Sequence, residues 1–274
     1  MSLKGKIEHI TLTDTGLVRD HNEDAIGSDM DIGLLVLADG MGGYNAGEVA
    51  SGIAVKTTME MVQEAIVRED RGAIDKETGL LRQTIVLRDA IMRANKLIYQ
   101  TSKTKSDCEG MGTTIVACLF YDNMISIAHV GDSRLYRLRD KRFAQVTKDH
   151  SLLRELVDRG FYSPEEAQRS LNRNYVTRAL GIEPKVEVEL NEEKVRPQDV
   201  YVLCSDGLSD MVDDEDIHLT ISTFNANLNL IGQQLIRLTN DNGGRDNVSI
   251  VVAKILKPFS QRKKLLKKLS SIFG

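Results

Sequence analysis

Several protein classes are excluded by what this sequence has little of. Cysteine occurs only three times in 274 residues (Cys108, Cys118 and Cys204), without metal-ligand spacing, and Cys118 and Cys204 sit in apolar runs. That argues against a disulfide framework and a zinc finger, and it suits a reducing, cytoplasmic compartment. The four prolines (Pro164, Pro184, Pro197, Pro258) all fall outside the strongly periodic segments, where chain punctuation belongs. No run approaches the roughly 18 apolar residues of a membrane-crossing helix. Residues 1–14 also lack the apolar core of a signal peptide. Basic residues are not in excess, since 36 Lys and Arg face 40 Asp and Glu for a net charge of −4, which argues against nucleic acid as a partner. Internal repeats and low-complexity linkers are missing, so one domain is expected over residues 1–256, long enough to bury a single large core.

Short strand-like runs occupy both halves of the chain. Residues 33–38 (GLLVLA) form a continuous apolar run suited to a buried strand. From 113 to 146 the chain reads as a meander: 114–121, an Asp122-Asn123 turn, 124–130, 134–138 and 143–146, with hairpin-length gaps. Residues 185–190 (KVEVEL) alternate with period two, and 200–204 and 248–255 are apolar, β-branched runs. Helical spacing covers 46–66, a stripe of Leu80, Leu87, Ile91, Ala94 and Ile98, and 228–238, after which Asn242-Gly243-Gly244 supplies a terminator. Ser163-Pro164-Glu165-Glu166 is a capping box with proline at the first helical position, so a helix is predicted to start there. Strands in sequential runs and helices in blocks predict an α/β, or layered α+β, sandwich of antiparallel sheets with helices outside.

The aspartates fall in a telling place. Asp39-Gly40 follows the run 34–38, Gly131-Asp132 follows 124–130, Asp206-Gly207 follows 200–204, and Asp246-Asn247 precedes 248–255. Each alone reads as a turn residue, Asp-Gly being common turn chemistry. In antiparallel sheets, however, one strand's end lies beside its neighbour's start, so the four can share a rim. Clustered carboxylates repel and raise one another's pKa unless a cation intervenes. Oxygen donors without matching His or Cys favour Mg2+ or Mn2+ over Zn2+, and glycine lets the Gly40 carbonyl approach such an ion.

A second cluster, Arg19-Asp20-His21-Asn22-Glu23-Asp24, offers an arginine able to clamp a phosphate and two carboxylates able to hold coordinated water. Taken alone it also reads as a charged, solvated loop. Gly40-Met41-Gly42-Gly43 looks like a phosphate cradle but matches neither the dinucleotide fingerprint nor the P-loop.

The ordered set Arg19…Asn22-Glu23-Asp24, Asp39-Gly40-Met41-Gly42-Gly43, Gly110-Met111-Gly112-Thr113-Thr114, Gly131-Asp132-Ser133-Arg134, Thr177-Arg178-Ala179-Leu180-Gly181, Ser205-Asp206-Gly207 and Asp246-Asn247 resembles the metal-dependent protein phosphatases of type 2C, most closely their compact bacterial branch. The resemblance spans nearly the whole chain. It implies two packed antiparallel sheets flanked by antiparallel helix pairs, with a flap over about 147–178. It implies Mn2+ or Mg2+, two to three ions per chain: Asp39 bridging two, Gly40 lending its carbonyl, Asp206 and Asp246 completing the pair, and Asp132 with Asp206 holding a third. Arg19 would bind the substrate phosphate, and Glu23 and Asp24 would hold coordinated water. The reaction implied is hydrolysis of phosphoserine or phosphothreonine on proteins by a metal-bridging water, opposing a bacterial serine/threonine kinase. A histidine proposed as general acid in eukaryotic relatives is here Met41. The alternative is a non-catalytic phosphoprotein-binding module of the same fold, although such a module should have lost ligands that this sequence keeps. Nothing points to an obligate oligomer, so a monomer is expected.

Residues 257–274 (KPFSQRKKLLKKLSSIFG) differ from the rest. They carry six positive charges and no acid, so the remainder of the chain stands at −10. On a helix, Leu265, Leu266, Leu269, Ile272 and Phe273 share a face. That pattern suits an anchor on an anionic membrane surface, which would be the inner membrane face, or a segment docking on the acidic body. A frayed, solvated terminus is the plainer reading.

Overall fold

Side chains on successive strand residues point to opposite faces, and here the two faces meet different partners. In β3 (Leu34–Met41), Leu35 and Leu37 enter one core while Leu34, Val36 and Ala38 enter another. This parity rule builds the whole molecule. The computed structural model describes residues 2–42, 46–68, 73–163, 166 and 175–260.

One sheet holds β1 (Ile7–Asp14), β11 (Val248–Ile255), β10 (Val200–Cys204), β7 (Arg134–Arg139) and β8 (Arg142–Gln145), in that order, every pair antiparallel. The other holds β2 (Asp24–Asp29), β3, β5 (Ile115–Tyr121), β6 (Met124–Val130) and β9 (Glu189–Lys194), also antiparallel, with the short β4 (Gly112–Thr113) paired to the end of β3. Leu37, Val116 and Ile127 meet Leu203, Val251 and Ala253 between the sheets, where Phe120 and Tyr201 pack edge to face at 5.7 Å. The helices α1 (Ala46–Arg68) and α2 (Arg82–Thr104) cover the outer face of the second sheet, α1 through Ala50, Ala54 and Val62 and α2 through Leu87, Ile91, Ala94 and Ile98. The outer face of the first sheet is covered by α5 (Asp214–Thr223) and α6 (Leu228–Asp241), through Ile217, Ile221, Ile231 and Leu235. Between the strands lie α3 (Leu152–Asp158) and the single turn α4 (Asp206–Ser209). The expected sandwich, helix pairs outside two packed antiparallel sheets, is the observed one.

Four differences have physical causes. Residues 185–188 are not in the ladder, and β9 starts only at Glu189, opposite His129. Val186 and Val188 do pack on the helix-side core, which explains the alternation, but the pairing of β6 with β9 stops at His129 and Glu189, so they lie outside the ladder. Strand β3 runs past Ala38 to Met41, because β2 and β4 offer partners to Asp39 and Gly40. Strands β1 and β2, each at the edge of its sheet, carry too much polar sequence to stand out, as does α5. Finally, Phe259 is buried in the inter-sheet core, so the terminal segment is part of the fold up to Ser260.

The capping box forms, with the Ser163 N–H donating to Glu166 Oε2 (2.8 Å) and the Glu166 N–H to Ser163 Oγ (3.2 Å). The rest of that helix, Gly43, and residues 261–274 of the basic tail lie outside the described residues. Among the described residues, no helix is long and apolar enough to cross a membrane.

Candidate metal centre

The rim at one end of the sandwich is built by register. Antiparallel pairing of β2 with β3 sets Asp24 directly opposite Asp39. The Asp39 backbone is clamped: its carbonyl accepts from Thr114 N–H (2.9 Å) and Thr113 Oγ1 (2.7 Å), and its N–H donates to Thr114 Oγ1 (3.2 Å). Gly40 lies against the first turn of α1, where a Cβ would stand 2.2 Å from the Gly47 carbonyl oxygen. A Cβ on Gly47 would in turn strike the Glu23 carboxyl at 2.7 Å. The glycines therefore let strand, helix and Glu23 meet at backbone distance. Gly131, at φ +105°, turns the chain out of β6 so that Asp132 reaches the same rim.

The carboxyls sense one another. Burial, followed by the neighbouring Asp206 and Asp24, pushes the Asp39 carboxyl well above the ordinary carboxylate range, and the Asp39 and Asp206 carboxyls are within hydrogen-bonding reach. Burial likewise raises Asp206 well above its usual value, with Asp132, Asp210 and Asp246 adding to the effect. Asp132 is pushed up to about 6 by burial and by Asp149 and Asp210. Asp24 also reaches about 6, through burial that the Ser249 and Ser205 hydroxyls only partly offset. Four acids held this way form a site short of positive charge.

Arg19 reaches in from the loop before β2, donating from Nη2 to Asp246 Oδ2 at 2.7 Å, a bond that raises the guanidinium pKa. Its side chain remains half exposed. That loop is braced by Asn247, whose Oδ1 accepts from Glu23 N–H (2.8 Å) while Nδ2 donates to the carbonyls of Thr15 (3.0 Å) and His21 (2.9 Å). Buried Glu23 Oε1 and Asp24 Oδ1 have no hydrogen-bond partner among the described residues, although His21 Nε2 stands 3.4 Å from the former. Unpaired buried acceptors beside raised carboxyls are what a cation with its water shell would satisfy, so the donor set fits hard divalent ions.

All the expected residues converge here: Asp39, Gly40, Asp206 and Asp246 at the rim, Asp132 beside them, and Arg19, Glu23 and Asp24 along its edge. Sequence reasoning missed two acids. Asp210 lies one helical turn after Asp206 on the C-terminal side of α4, and the spacing of four was the available signal. Asp149 receives Arg134 at 2.8 Å and adds charge near Asp132. The cysteines take no part: all three are buried, and burial pushes the Cys118 and Cys204 thiols up, Cys204 to about 12.

A separate trio, His129, His150 and Glu189, places potential ligand atoms within 4.8 Å of one another. Gly131 N–H donates to His150 Nδ1 (3.1 Å), so the ring hydrogen sits on Nε2, facing Glu189 Oε2 at 3.1 Å. With one nitrogen accepting and the other donating, that ring has no lone pair for an ion. Its role is bracing, since His150 N–H also donates to Gly131 and its carbonyl accepts from Thr177.

Comparisons with known proteins agree with this geometry. The sequence profile described as "Protein phosphatase 2C" matches residues 18–240. The serine/threonine protein phosphatase PstP of Mycobacterium tuberculosis is 40% identical over 252 residues, 91% of this chain but 45% of PstP, so the chain spans about half the length of that relative. The serine/threonine phosphatase stp of Listeria monocytogenes is 35% identical over 88% of this chain and 93% of its own. Among solved structures, the catalytic domain of PstP in complex with two manganese ions superposes with a TM-score of 0.78 at 37% identity, covering 92% of this chain and 99% of that one.

Proposed function

The chain belongs to the protein phosphatase 2C family, and from that premise we propose that it hydrolyses phosphoserine and phosphothreonine on proteins, opposing a serine/threonine kinase. One observation carries this reading: Asp39, Asp206, Asp132 and Asp24, remote in sequence, gather at one rim, Asp132 buried and the others half-buried, with every carboxyl raised. Asp39, Asp206 and Asp246, with the Gly40 carbonyl, would hold two ions, and Asp132 with Asp206 a third. Bound there, Mn2+ or Mg2+ would supply a water nucleophile ionised at neutral pH and offset phosphoryl charge.

The chain's own groups do the rest. Arg19, exposed and able to pivot, would exchange its Asp246 contact for two parallel bonds to the substrate phosphate. Glu23 and Asp24 present the unpaired oxygens that orient water, and Asn247 holds the Glu23 backbone against their mutual repulsion. Met41 carries no proton to donate, so the leaving alkoxide takes its proton from water or another group. Nothing favours a non-catalytic binding module, because the acidic set is complete.

The basic segment after Ser260 is proposed to rest on anionic lipid at the inner membrane face, with the domain itself a cytoplasmic monomer ending at about Ser260. The decisive measurement for the enzyme is turnover of a phosphothreonine peptide with Mn2+ and after chelation. Metal-independent turnover, or a folded protein that binds no Mn2+ by calorimetry, would remove the reading.

A further inference from the structure

At the end of the sandwich opposite the metal rim, β7 and β8 carry a run of arginines. β7 starts at Arg134, paired with Cys204 beside the rim, and ends at Arg139. At about 3.3 Å per residue that is roughly 17 Å along the sheet. There, Arg137, Arg139, Asp140, Arg142 and Arg196 line an open cavity of about 430 Å³. Some of the charge is answered: Arg139 bonds Asp199 at 2.7 Å, Arg196 bonds Asp140 at 3.3 Å, and Arg137 bonds Glu193. Exposed Lys141, Arg142 and Lys194 make no ion pair with any described residue.

The basic tail leaves the fold at this same end. Phe259 is buried, its N–H donates to Asn123 Oδ1 (2.6 Å), and Ser260 Oγ donates to Asp122 Oδ1 (2.9 Å). Asn123 also accepts from Val195 N–H at 3.0 Å, and Ser260 and Lys194 line one cavity of about 500 Å³. The point of departure is therefore fixed within the arginine pole. Beyond Ser260 the sequence continues with Arg262, Lys263, Lys264, Lys267 and Lys268 and no acid, together with Leu265, Leu266, Leu269, Ile272 and Phe273. The opposite rim carries Asp132, Asp149, Asp206, Asp210 and Asp246.

We propose that the pole formed by Lys141, Arg142 and Lys194 is the face this protein lays on an anionic bilayer, holding the metal rim outward toward soluble phosphoproteins. The proposal rests on the lipid reading of the tail and adds the folded surface and its orientation. One physical term supports it. A folded basic patch adds to the tail's attraction without further ordering cost, each cation near an anionic surface strengthening binding by about fivefold. Because these cations lie at the end of the sandwich away from the rim, their attraction selects one orientation.

The test uses the full chain with phosphatidylcholine vesicles, with and without phosphatidylglycerol. The wild type should co-sediment only with the anionic vesicles, and less as salt rises. Lys141→Glu with Arg142→Glu breaks no ion pair, so Tm and turnover of a small aryl phosphate in solution should be unchanged while partitioning falls about tenfold or more. A chain ending at Ser260 should bind far more weakly than the wild type, and the double variant should weaken it further. For orientation, a fluorophore on Lys141→Cys should be quenched by brominated lipid, and one on Glu48→Cys, at the first turn of α1 beside the rim, should not; the native cysteines are buried and will not compete for label. Equal partitioning of wild type and double variant, or equal quenching at both labels, overturns the pole while leaving the tail's lipid binding intact. No sedimentation of the wild type with anionic vesicles overturns the tail reading and this one together.

Discussion

Asp206 is the residue on which most of the rim's interactions meet: Asp39 within bonding reach, and Asp132, Asp210 and Asp246 close enough to raise its pKa. Asp206→Asn keeps the shape and removes a charge that a divalent ion needs. Mn2+-dependent kcat should fall about 10²–10³-fold, with a weaker Mn2+ isotherm in calorimetry. Asp132 is the first of the rim acids acting on Asp206 and is itself raised by Asp149 and Asp210, as a residue sharing a third ion with Asp206 would be. Asp132→Ala should therefore remove one Mn2+ from the titration and leave two; loss of all metal would contradict this division. Arg19 touches the rim only through its tip, and an exposed guanidinium that meets the ground-state phosphate contributes to binding before the chemical step. Arg19→Ala should raise KM for a phosphopeptide by about tenfold or more while kcat changes much less. An unchanged KM would mean the arginine serves only Asp246.

The rim depends equally on how strands, helix and loop are joined. Asn247, at the entry to β11, spends its amide on Glu23 N–H and the carbonyls of Thr15 and His21, which ties the Arg19 loop to a central strand. Asn247→Ala leaves those backbone groups without partners and should cost about 1–3 kcal/mol in chemical denaturation, together with a drop in kcat/KM. Asn247→Asp keeps only the acceptor and should recover part of the stability and little of the activity, because it adds a negative charge beside Glu23. The Gly40–Gly47 contact is the second joint. A methyl at Gly40 must displace backbone of α1 or of Glu23, so Gly40→Ala should lower Tm by several degrees, consistent with roughly 1–3 kcal/mol of overpacking.

For the molecule as a whole, the raised carboxyls cluster at one end, and Lys141, Arg142 and Lys194, without ion pairs among the described residues, stand at the other. The acidic end makes the metal-free fold sensitive to pH. Asp24 and Asp132 titrate near 6 when folded against 3.8 in the open chain, so between those values the native state binds more protons. Their contribution to stability is thus present at low pH and is lost as pH rises through about 6. Protons and metal compete for the same oxygens. The rise in Tm on adding Mn2+ should accordingly be larger at pH 7 than at pH 5, as read by calorimetric scans after chelation and after Mn2+ addition. An increment equal at both pH values would mean that the ions bind elsewhere.

The order of buried runs such as 34–38, 124–130, 200–204 and 248–255 was enough to place the strands, because strand burial is a local pattern repeated in side-chain type. The same runs carried the aspartates at their ends, so Asp39, Asp132, Asp206 and Asp246 were legible as one rim, with the family resemblance assigning their roles. The edge strands β1 and β2 were not legible, since their residues are largely polar and mostly half-buried or exposed, leaving little apolar signal. Nor was Asn247's bracing of the Arg19 loop, the Gly40–Gly47 contact, or the entry of Asp149 and Asp210 into the rim's field. Those depend on distances between residues far apart in the chain, which chain order does not encode. Their energies vary steeply over an ångström or two, and only the packed sheets and helices set separations that finely.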